Sequence, residues 1–414
     1  QEHAMAIQSL NDLILQRNEI LNRKVDSIMD LDLTHEEAQE WASLYALLGT
    51  WAFVARSSNP QDIRTLYFDP AVVLLDPLDQ IRRRGAKTVY YQYADFADKQ
   101  LRQLEGSDEY KRKKDWVARL QGELDDLKEN YKTARSQAEK EDIRRQKERT
   151  QKLLDIDEKG LNDSESSLKS FLQQAIAMYA HYMEVSHDQD QEIAIRFCGL
   201  WFSKFESEVA AESIRNALQK ISTYKLLFLS HQLTARLGTG STKDGGRRNQ
   251  RYIHQLVEAM CIQHPYHSLL QVLTAKGSER PLSNNEQPSS EDLYPERSEE
   301  AQKIVDNVRS ASHQQSGSNY DRPKFFLNTM EEAFEAFIEW ARFPIKQLGY
   351  KSGMMISIPR SIALYHWTWD ETTKRDRPEP LPIPVVTADL PVEMDGQYNR
   401  IPTLHYYLRQ YNVA

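Results

Sequence analysis

A glycine-rich stretch in the middle of the chain has residue types that could bind phosphate. It reads Gly-Thr-Gly-Ser-Thr-Lys-Asp-Gly-Gly from Gly238 to Gly246, and glycine loops with a lysine cradle phosphate groups in nucleotide-binding proteins. The stretch lacks the spacing of four residues between a glycine and a Gly-Lys pair, and the pattern before it predicts a helix, not a strand. A flexible interhelical loop is therefore the favoured interpretation.

A second cluster has the residue types of metal ligands. Cys261, His264 and His267 follow one another at intervals of three residues. However, Cys261 completes an apolar helical face, Pro265 starts the next helix, and a fourth ligand is not evident. We therefore favour a structural helix junction over a zinc site and assign no metal ligands.

A small basic cluster, Arg247, Arg248 and Arg251, follows the glycine-rich stretch. It is either a solvated surface or a docking site for an acidic partner or nucleic acid. The whole chain has a net charge of −8, so no footprint for duplex DNA is visible. We predict no direct nucleic-acid site.

No catalytic set can be assembled from these residues. A phosphotransferase needs a lysine on the nucleotide phosphates, a catalytic aspartate, and an aspartate and an asparagine on the metal.

Hydrophobic residues make up 40% of the 414 residues and charged residues 28%, which permits a packed core. Both cysteines, Cys198 and Cys261, lie in apolar helical stretches, as expected of buried thiols in a reducing intracellular compartment.

Targeting signals are not visible. The chain has no run of about 18 apolar residues, so we expect no membrane span. A basic region followed by an apolar one is missing at the N-terminus, so we expect no secretory signal. The first residue is Gln1 rather than methionine, which suggests a piece excised from a longer protein.

The N-terminal quarter predicts successive amphipathic helices. Apolar residues recur there at steps of three and four. Thr34 and Glu37 form a capping-box signature, in which each side chain binds a backbone N–H of the other. The predicted helices cover Ala4 to Leu31, a segment from Thr34 to a break at Asn59-Pro60, Pro60 to Leu75 with a kink at Asp69-Pro70, and Lys87 to Leu104.

The segment from Glu105 to Lys159 is highly charged, with fifteen basic and fifteen acidic residues. Together with an arm from about Lys140 to Met183 it predicts an antiparallel helical hairpin over about 105–183, with its tip between Thr133 and Lys140. The hairpin is either a solvated spacer or an interaction arm. Its predicted coiled-coil seam consists of Val117, Leu120, Leu124, Leu127, Tyr131, Ala134 and Ala138.

From Ile193 to Ala275 the chain predicts short amphipathic helices. Such helices are too short to stand alone in water, so we expect them to stack in pairs as in a TPR-like α-solenoid. No strict repeat consensus is present. Beyond them, Lys276 to Glu300 predicts a loop, and helices are predicted for Glu299 to Ser310 and for Lys324 to Phe343.

The C-terminal residues predict strands. Four prolines, Pro378, Pro380, Pro382 and Pro384, exclude a helix and indicate a linker. Strand-like runs follow from Val385 to Val392 and from Ile401 to Tyr411, with a turn at Asp395-Gly396. The expected fold is all-α, a TPR-like α-solenoid with a long charged antiparallel helical hairpin, ending in the first β-strands of another domain.

Several motifs occur together in a fixed order. They are Cys198-x-Leu200-Trp201, Tyr224-Lys225, Gln232-Leu233-x-Ala235-Arg236-Leu237-Gly238-Thr239 and His264-Pro265-x-His267-x-Leu269. In this order and spacing they resemble the FAT region of the ATM-type kinases, which are PI3-kinase-related protein kinases. The run from Tyr90 to Gln100 resembles the alanine-aspartate-glutamine helix of that family. Pro384-Val385-Val386, Gly396-Gln397-Tyr398 and Tyr411-Asn412-Val413-Ala414 resemble the first strands of the kinase N-lobe. Departures from the animal pattern point to a distant relative, such as the fungal telomere-maintenance orthologue.

The resemblance implies FAT helical repeats in residues 1–275, a connecting loop and helices in 276–375, and a truncated kinase N-lobe in 376–414. It implies that the parent protein is a nuclear serine/threonine kinase that uses ATP and Mg²⁺ on Ser/Thr-Gln sites, in DNA damage signalling and telomere maintenance. Val413 and Ala414 would form the lip of the ATP pocket. The segment itself would clamp and regulate the kinase domain without catalytic residues or a bound cofactor.

The partners implied by the resemblance are the kinase domain of the same chain, a second copy in a homodimer, substrates with Ser/Thr-Gln, and DNA-break sensor proteins bound outside this segment. No membrane is among them. Ser136-Gln137 and Thr150-Gln151 match the substrate preference, either by chance or as sites of trans-autophosphorylation. The alternative function is a non-catalytic helical scaffold or adaptor, or a pseudokinase relative with FAT architecture. A sibling kinase of the family is a further alternative.

Overall fold

The computed structural model describes residues 33–186, 190–240, 243–277, 295–311, 365–370 and 375–380, with isolated positions between 5 and 12 and between 327 and 335. Within these residues the protein is helical apart from one two-stranded β-hairpin. None of the described helices is long and apolar enough to cross a membrane. The chain divides into two compact units.

The first unit is built from helices α1 (His35–Ala55), α2 (Pro60–Ile63), α3 (Asp69–Leu75), α4 (Gln80–Arg83), α5 (Lys87–Gly106), α6 (Asp108–Thr133) and α7 (Gln137–Val185). A π-helical turn (Arg64–Phe68) joins α2 to α3, and a 3₁₀ turn (Arg84–Ala86) joins α4 to α5. Helices α8 (Gln191–Ser203) and α9 (Glu208–Leu218) contribute their C-terminal parts to this unit, which takes Arg196–Lys204 and Glu212–Ile221.

Local sequence signals set the ends of α1. The predicted capping box is confirmed, because the Glu37 N–H donates to the Thr34 hydroxyl and the Thr34 N–H donates to the Glu37 carboxylate at 3.0 Å. Arg56 ends the helix in the left-handed conformation, with φ of 52°. Asn59 then caps α2, which starts at Pro60, a residue type favoured at the first helical position.

The predicted kink at Asp69-Pro70 takes the form of the π-helical turn that ends at Phe68. Proline has no N–H to donate, so the ordinary helical ladder is interrupted there and a wider turn accommodates it. The turn brings Phe68 into the core, where its ring stacks on Tyr93 at 5.0 Å and on Phe96 at 4.8 Å. Gly49 of α1 makes room, because an added Cβ would lie 2.8 Å from the Phe68 ring.

Helices α6 and α7 form the predicted antiparallel hairpin, and its turn at residues 134–136 lies within the predicted tip. Its apolar cluster consists of Val117, Leu120, Leu124, Leu154 and Leu161. The predicted seam is wrong beyond Leu124, apart from Ala134: Leu127 is half-buried, Tyr131 is 44% exposed and Ala138 is exposed. The reason is that α7 presents polar side chains opposite this part of α6, namely Gln146, Arg149 and Thr150.

The C-terminal half of α7 packs against α5. Its predicted apolar face is buried at Phe171, Leu172, Ala175, Ile176, Tyr179 and Met183. Phe96 of α5 meets Phe171 edge to face, with ring centroids 5.9 Å apart. One helix therefore joins the tip of the hairpin to the core of the first unit.

The second unit takes Asp190–Ile195, Phe205–Ala211 and Ser222–Ala414. Its described elements include a 3₁₀ helix (Thr223–Leu229), α10 (Ser230–Thr234), α11 (Asp244–Gln263), α12 (Pro265–Lys276), α13 (Pro295–Ala311), β1 (Tyr365–Asp370) and β2 (Arg375–Pro380). Helices α11, α12 and α13 pack on one another. The loop predicted up to Glu300 is wrong at its end, because α13 begins at Pro295, where a proline is favoured.

Strands β1 and β2 pair antiparallel, with Tyr365 opposite Pro380 and Trp367 opposite Pro378. The proline-rich segment is thus a strand over 375–380 and not a linker. Pro378 and Pro380 are two residues apart, so both positions without an N–H face the same edge of β2. Among the described strands, each is paired along one edge, which leaves the other edge of β2 for the prolines. The strand runs predicted after Pro384, together with Val413 and Ala414, lie outside the described residues.

Two predicted helices are described only in part. Between Ala4 and Leu31 the described positions are Met5, Gln8, Ser9 and Asp12, and all four are helical. Between Lys324 and Phe343 they are Leu327, Asn328, Met330, Glu331, Phe334 and Glu335, and these are also helical. The other residues of both predicted helices, and residues 278–294 of the predicted loop, lie outside the described residues.

Candidate functional site

A buried carboxylate holds three helices of the first unit together. Asp98 of α5 is 1% exposed. Arg196 of α8 forms an ion pair with it, the Tyr179 hydroxyl of α7 donates to it at 3.2 Å, and Arg102 lies 3.3 Å from its other oxygen. Burial raises the pKa of Tyr179, and the Asp98 charge adds to the effect, so the phenol stays protonated and donates.

The sequence indicates the buried aspartate but not its partner. Asp98 lies between Ala94 and Leu101 at helical spacing, so its carboxylate belongs to the apolar face of α5. A charge on such a face requires a counterion. Arg196 is 98 residues away along the chain, and no local pattern marks it. Asp98 therefore links α5, α7 and α8. The groups described as binding its carboxylate are hydrogen-bond donors on these three helices.

The motif residues that carry the family resemblance lie mostly in the cores of the two units. Trp201 is fully buried, and Cys198 is 3% exposed. In the second unit Leu233, Leu237 and Leu269 are buried as well. These motif residues therefore contribute to the packing of the two cores.

A cavity of about 580 Å³ lies in the second unit, where the glycine-rich loop meets α11 and α13. It brings together residues that the sequence singled out separately. Its titratable lining consists of Arg247, Arg251, His254, Lys303, Glu296, Glu299 and Glu300. Arg248 is exposed and is not part of this lining.

The charges of this cavity disfavour the phosphate-loop alternative. Arg247 is paired with Asp244 at 2.5 Å, and Lys303 is paired with Glu300 at 2.5 Å. A carboxylate oxygen of Glu296 lies 3.2 Å from the position of a Cβ added at Gly240. A phosphate in the cavity would meet these carboxylates, which repel it. The lysine of the glycine-rich stretch, Lys243, precedes α11 as its N-cap residue.

Gly238 fixes the loop against α13. Its φ is +66°, and an added Cβ would lie 2.4 Å from the backbone of Glu296 and Arg297. The interhelical position of the loop is confirmed, and at Gly238 the loop is closely packed.

Replacing Gly238 with alanine is expected to destabilise the second unit by about 1–3 kcal/mol, because the left-handed backbone and the close contact both exclude a side chain. Hydrogen exchange at the α13 amides measures this loss. Gly199→Ala, in the first unit, is the control for the substitution itself, since a Cβ there meets nothing within 4 Å. Equal loss of protection in both variants would contradict the prediction.

His254 connects α11 to α13. Its Nδ1 lies 2.7 Å from Glu300, and its Nε2 lies 3.5 Å from Glu258. Burial alone would raise the pKa of Glu300, but Lys303 and His254 lower it below its usual value. Asn307 completes the contact by donating to Glu258 at 2.8 Å. His254 and the carboxylates of Glu258 and Glu300 therefore link α11 to α13.

The cluster of cysteine and histidines forms a buried helix junction. Burial raises the pKa of Cys261 to about 12, and a thiol rather than a thiolate is a poor metal ligand. His264 is 2% exposed, and its Nε2 lies 3.2 Å from the Thr223 hydroxyl. Pro265 begins α12, as predicted. Among the residues that the structure describes, no group of three or more His, Cys, Asp or Glu side chains could hold a metal ion.

The two Ser/Thr-Gln dipeptides have different environments in the α6–α7 hairpin. Ser136 is exposed at the turn, where its extended backbone caps α7 and its hydroxyl accepts from the Glu139 N–H at 3.1 Å. Thr150 is half-buried within α7, in a cleft that Glu123 and Asp126 also line. Ser136 is therefore the more accessible hydroxyl.

No protein-family model matches the chain. It is similar to the serine/threonine-protein kinase ATM of Arabidopsis thaliana, with 24% identity over 372 residues, which cover 87% of this chain and 9% of the kinase. The serine/threonine-protein kinase TEL1 of Gibberella zeae is 27% identical over 231 residues, 56% of this chain and 8% of the kinase. The serine-protein kinase ATM of Sus scrofa is 24% identical over 388 residues, 88% of this chain and 12% of the kinase. The chain thus spans about a tenth of the length of these relatives.

Solved structures show the same fold. An open conformation of CtTel1 matches 98% of this chain and 14% of its own, with a TM-score of 0.63 and 21% identity. A structure of the FAT and kinase domain of CtTel1 matches 98% of this chain and 27% of its own, with a TM-score of 0.62 and 22% identity. The resemblance seen in the motifs is confirmed: the homologues of this chain are the ATM and Tel1 serine/threonine protein kinases.

Proposed function

We propose that this chain is the FAT scaffold of an ATM-type serine/threonine protein kinase, and that it clamps and regulates the kinase domain of the same chain. The parent protein uses ATP and Mg²⁺ to phosphorylate Ser or Thr followed by Gln, in DNA damage signalling and telomere maintenance. In this proposal, residues 1–275 are TPR-like FAT repeats, 276–375 connect them to the kinase, and 376–414 begin its N-lobe. Val413 and Ala414 lie at the lip of the ATP pocket.

The observation that carries this proposal is similarity to kinases over most of the chain, 87% in the case of the plant ATM. A scaffold role also agrees with where the shared motifs lie, since Trp201, Leu233 and Leu269 are core residues. The parent protein acts as a nuclear homodimer in this proposal. The similarity to a complete CtTel1 dimer with C2 symmetry, at a TM-score of 0.62 over 98% of this chain, supports the dimer.

The α6–α7 hairpin is the part of the scaffold that we propose as a regulatory arm. The arm is joined to the core by the unbroken helix α7, which has 49 residues. A contact at the tip is therefore transmitted along one rigid element to the packing of Phe171 and Tyr179 on α5. In this way a partner of the arm would restrain or release the kinase domain.

Two deletions in the full-length parent protein test this role. The first replaces Asp125–Arg149 with a short glycine-serine turn from Leu124 to Thr150, which is short because Glu123, the neighbour of Leu124, lines the same cleft as Thr150. It keeps all five residues of the apolar cluster. The second removes Gly106–Lys159. Phosphorylation of a Ser-Gln peptide with ATP and Mg²⁺ is measured before and after activation.

We expect an active parent protein, and a changed basal or activated rate in both deletions. Unchanged rates in both would make the hairpin a solvated spacer. If the parent protein were inert in every activated condition, the kinase function would be rejected. The alternative function, a non-catalytic scaffold or pseudokinase relative, would take its place.

Autophosphorylation is expected to favour Ser136 over Thr150 by at least about tenfold, because a hydroxyl inside a helix reacts only after local unfolding. Mass spectrometry of the active parent protein measures both sites, and Ser136→Ala is the control for assignment. Phosphate at Ser136 would lie at the N-terminus of α7, where the helix dipole favours negative charge. Equal phosphorylation of Ser136 and Thr150 would contradict the prediction, because α7 would then unfold readily around Thr150.

A further inference from the structure

The shaft of the α6–α7 hairpin has an exposed apolar patch, which consists of Trp116, Leu153 and Ile156. These side chains are 45%, 44% and 69% exposed, respectively. Leu153 and Ile156 are three residues apart on α7, so they share a side of the helix. The Trp116 indole N–H donates to Asp157, one residue after Ile156, at 2.8 Å. This bond brings the side chain from α6 to the same side of the hairpin.

The patch has the properties of a binding anchor. A tryptophan held by a hydrogen bond is already ordered, so a partner that packs on it loses less conformational entropy on binding. Tryptophan is also enriched among residues that dominate binding energy. Gly160 lies one helical turn after Ile156, and a Cβ there would meet nothing within 4 Å. Open space therefore adjoins the patch.

Three arginines adjoin the patch. Arg112 and Arg119 lie four residues before and three residues after Trp116, so they flank it on α6, and Arg149 lies four residues before Leu153 on α7. All three are exposed. The ion pairs described in the hairpin use Lys113, Lys128, Arg144 and Arg145. Within the described residues, Arg119 and Arg149 have no such ion pair, and Arg149 also lines the cleft that contains Glu123 and Asp126.

We propose that this patch binds an acidic amphipathic helix of another protein. The apolar face of that helix packs on Trp116, Leu153 and Ile156, and its carboxylates pair with Arg112, Arg119 and Arg149. Apolar anchors supply affinity in such a helix-on-helix contact, and opposite charges around them supply orientation and specificity.

The test uses the full-length parent protein and a fluorescein-labelled synthetic helix that has leucine and phenylalanine on one face and glutamate on the other. A second synthetic helix replaces each glutamate with lysine. Binding is followed by fluorescence anisotropy for the parent protein, Ile156→Glu, and the double variant Arg119→Glu/Arg149→Glu. Ile81→Glu is the matched control, because Ile81 is 71% exposed and lies outside the hairpin.

We expect the acidic helix to bind the parent protein and Ile81→Glu equally, and both hairpin variants at least about tenfold more weakly. Added salt is expected to weaken binding, and the lysine helix is expected not to bind. Equal binding to Ile156→Glu, or equal binding of the two helices, would overturn the proposal. Sedimentation tests a second copy as the occupant: dissociation of a parent dimer by Ile156→Glu would assign the patch to that copy and also overturn the proposal. Circular dichroism checks that each variant remains helical, which these exposed positions permit.

Discussion

Replacing Arg196 with methionine is expected to lower the free energy of unfolding of the first unit by about 1–2 kcal/mol, because the buried Asp98 carboxylate then loses a counterion that is itself 41% exposed and partly screened by water. Arg102 remains near Asp98, but its side chain is 54% exposed and its charge is screened by water. Methionine retains much of the apolar volume of arginine, so the loss reflects the missing charge. Hydrogen exchange at the α5 and α7 amides measures it locally, since a chain of several units does not unfold in a single transition.

The double variant Arg196→Met/Asp98→Leu is the control for this prediction. It removes the buried charge together with its counterion, so at least half of the lost stability should return. If the double variant were as unstable as Arg196→Met, or less stable, the ion pair would not be the source of the effect.

Acidification from pH 6.5 to pH 4 is expected to destabilise the second unit by about 3 kcal/mol more in the wild type than in His264→Asn. Burial, and then the neighbouring His267, lowers the pKa of His264 from 6.5 to about 4. Below pH 6.5 the unfolded chain binds a proton that the folded unit does not bind until about pH 4. The stability that neutral His264 supports is therefore complete above pH 6.5 and is lost progressively down to pH 4.

The pH dependence of exchange at the α11 and α12 amides measures this effect as a difference between two proteins, so that the carboxylates common to both cancel. His231→Asn is the matched control, because His231 lies in the same unit and is exposed. A wild type and His264→Asn with parallel pH profiles would contradict the prediction.

Signals that act over a few residues allowed much of the fold to be predicted. The capping box at Thr34 marks the first residue of α1, and the apolar spacing of α7 marks the face that packs on α5. The hairpin turn also lies where charge and periodicity placed it. In each case the determinant is a contact within one or two helical turns, or a stripe on one helix.

Long-range partners could not be predicted in this way. The apolar seam ends after Leu124 because of what α7 presents opposite it, and nothing in α6 alone reports Gln146 or Thr150. The pairing of Asp98 with Arg196 and of His254 with Glu300 likewise depends on tertiary packing. Pro378 lies in a strand that pairs, within the described residues, along one edge with β1, and the proline count alone does not show this partner.

The continuous helix α7 gives the first unit the mechanics of a lever. At 1.5 Å per residue, its 49 residues extend roughly 74 Å without a proline to act as a joint. Phe171 and Tyr179 lie near the fulcrum, where the helix is held against α5. A rotation of a few degrees at this fulcrum becomes a displacement of several ångströms at Ser136. A small rearrangement of the packing of α7 on α5 therefore moves the hairpin tip by a larger distance. A partner that binds the tip acts in the opposite direction, on the packing of α7 against α5.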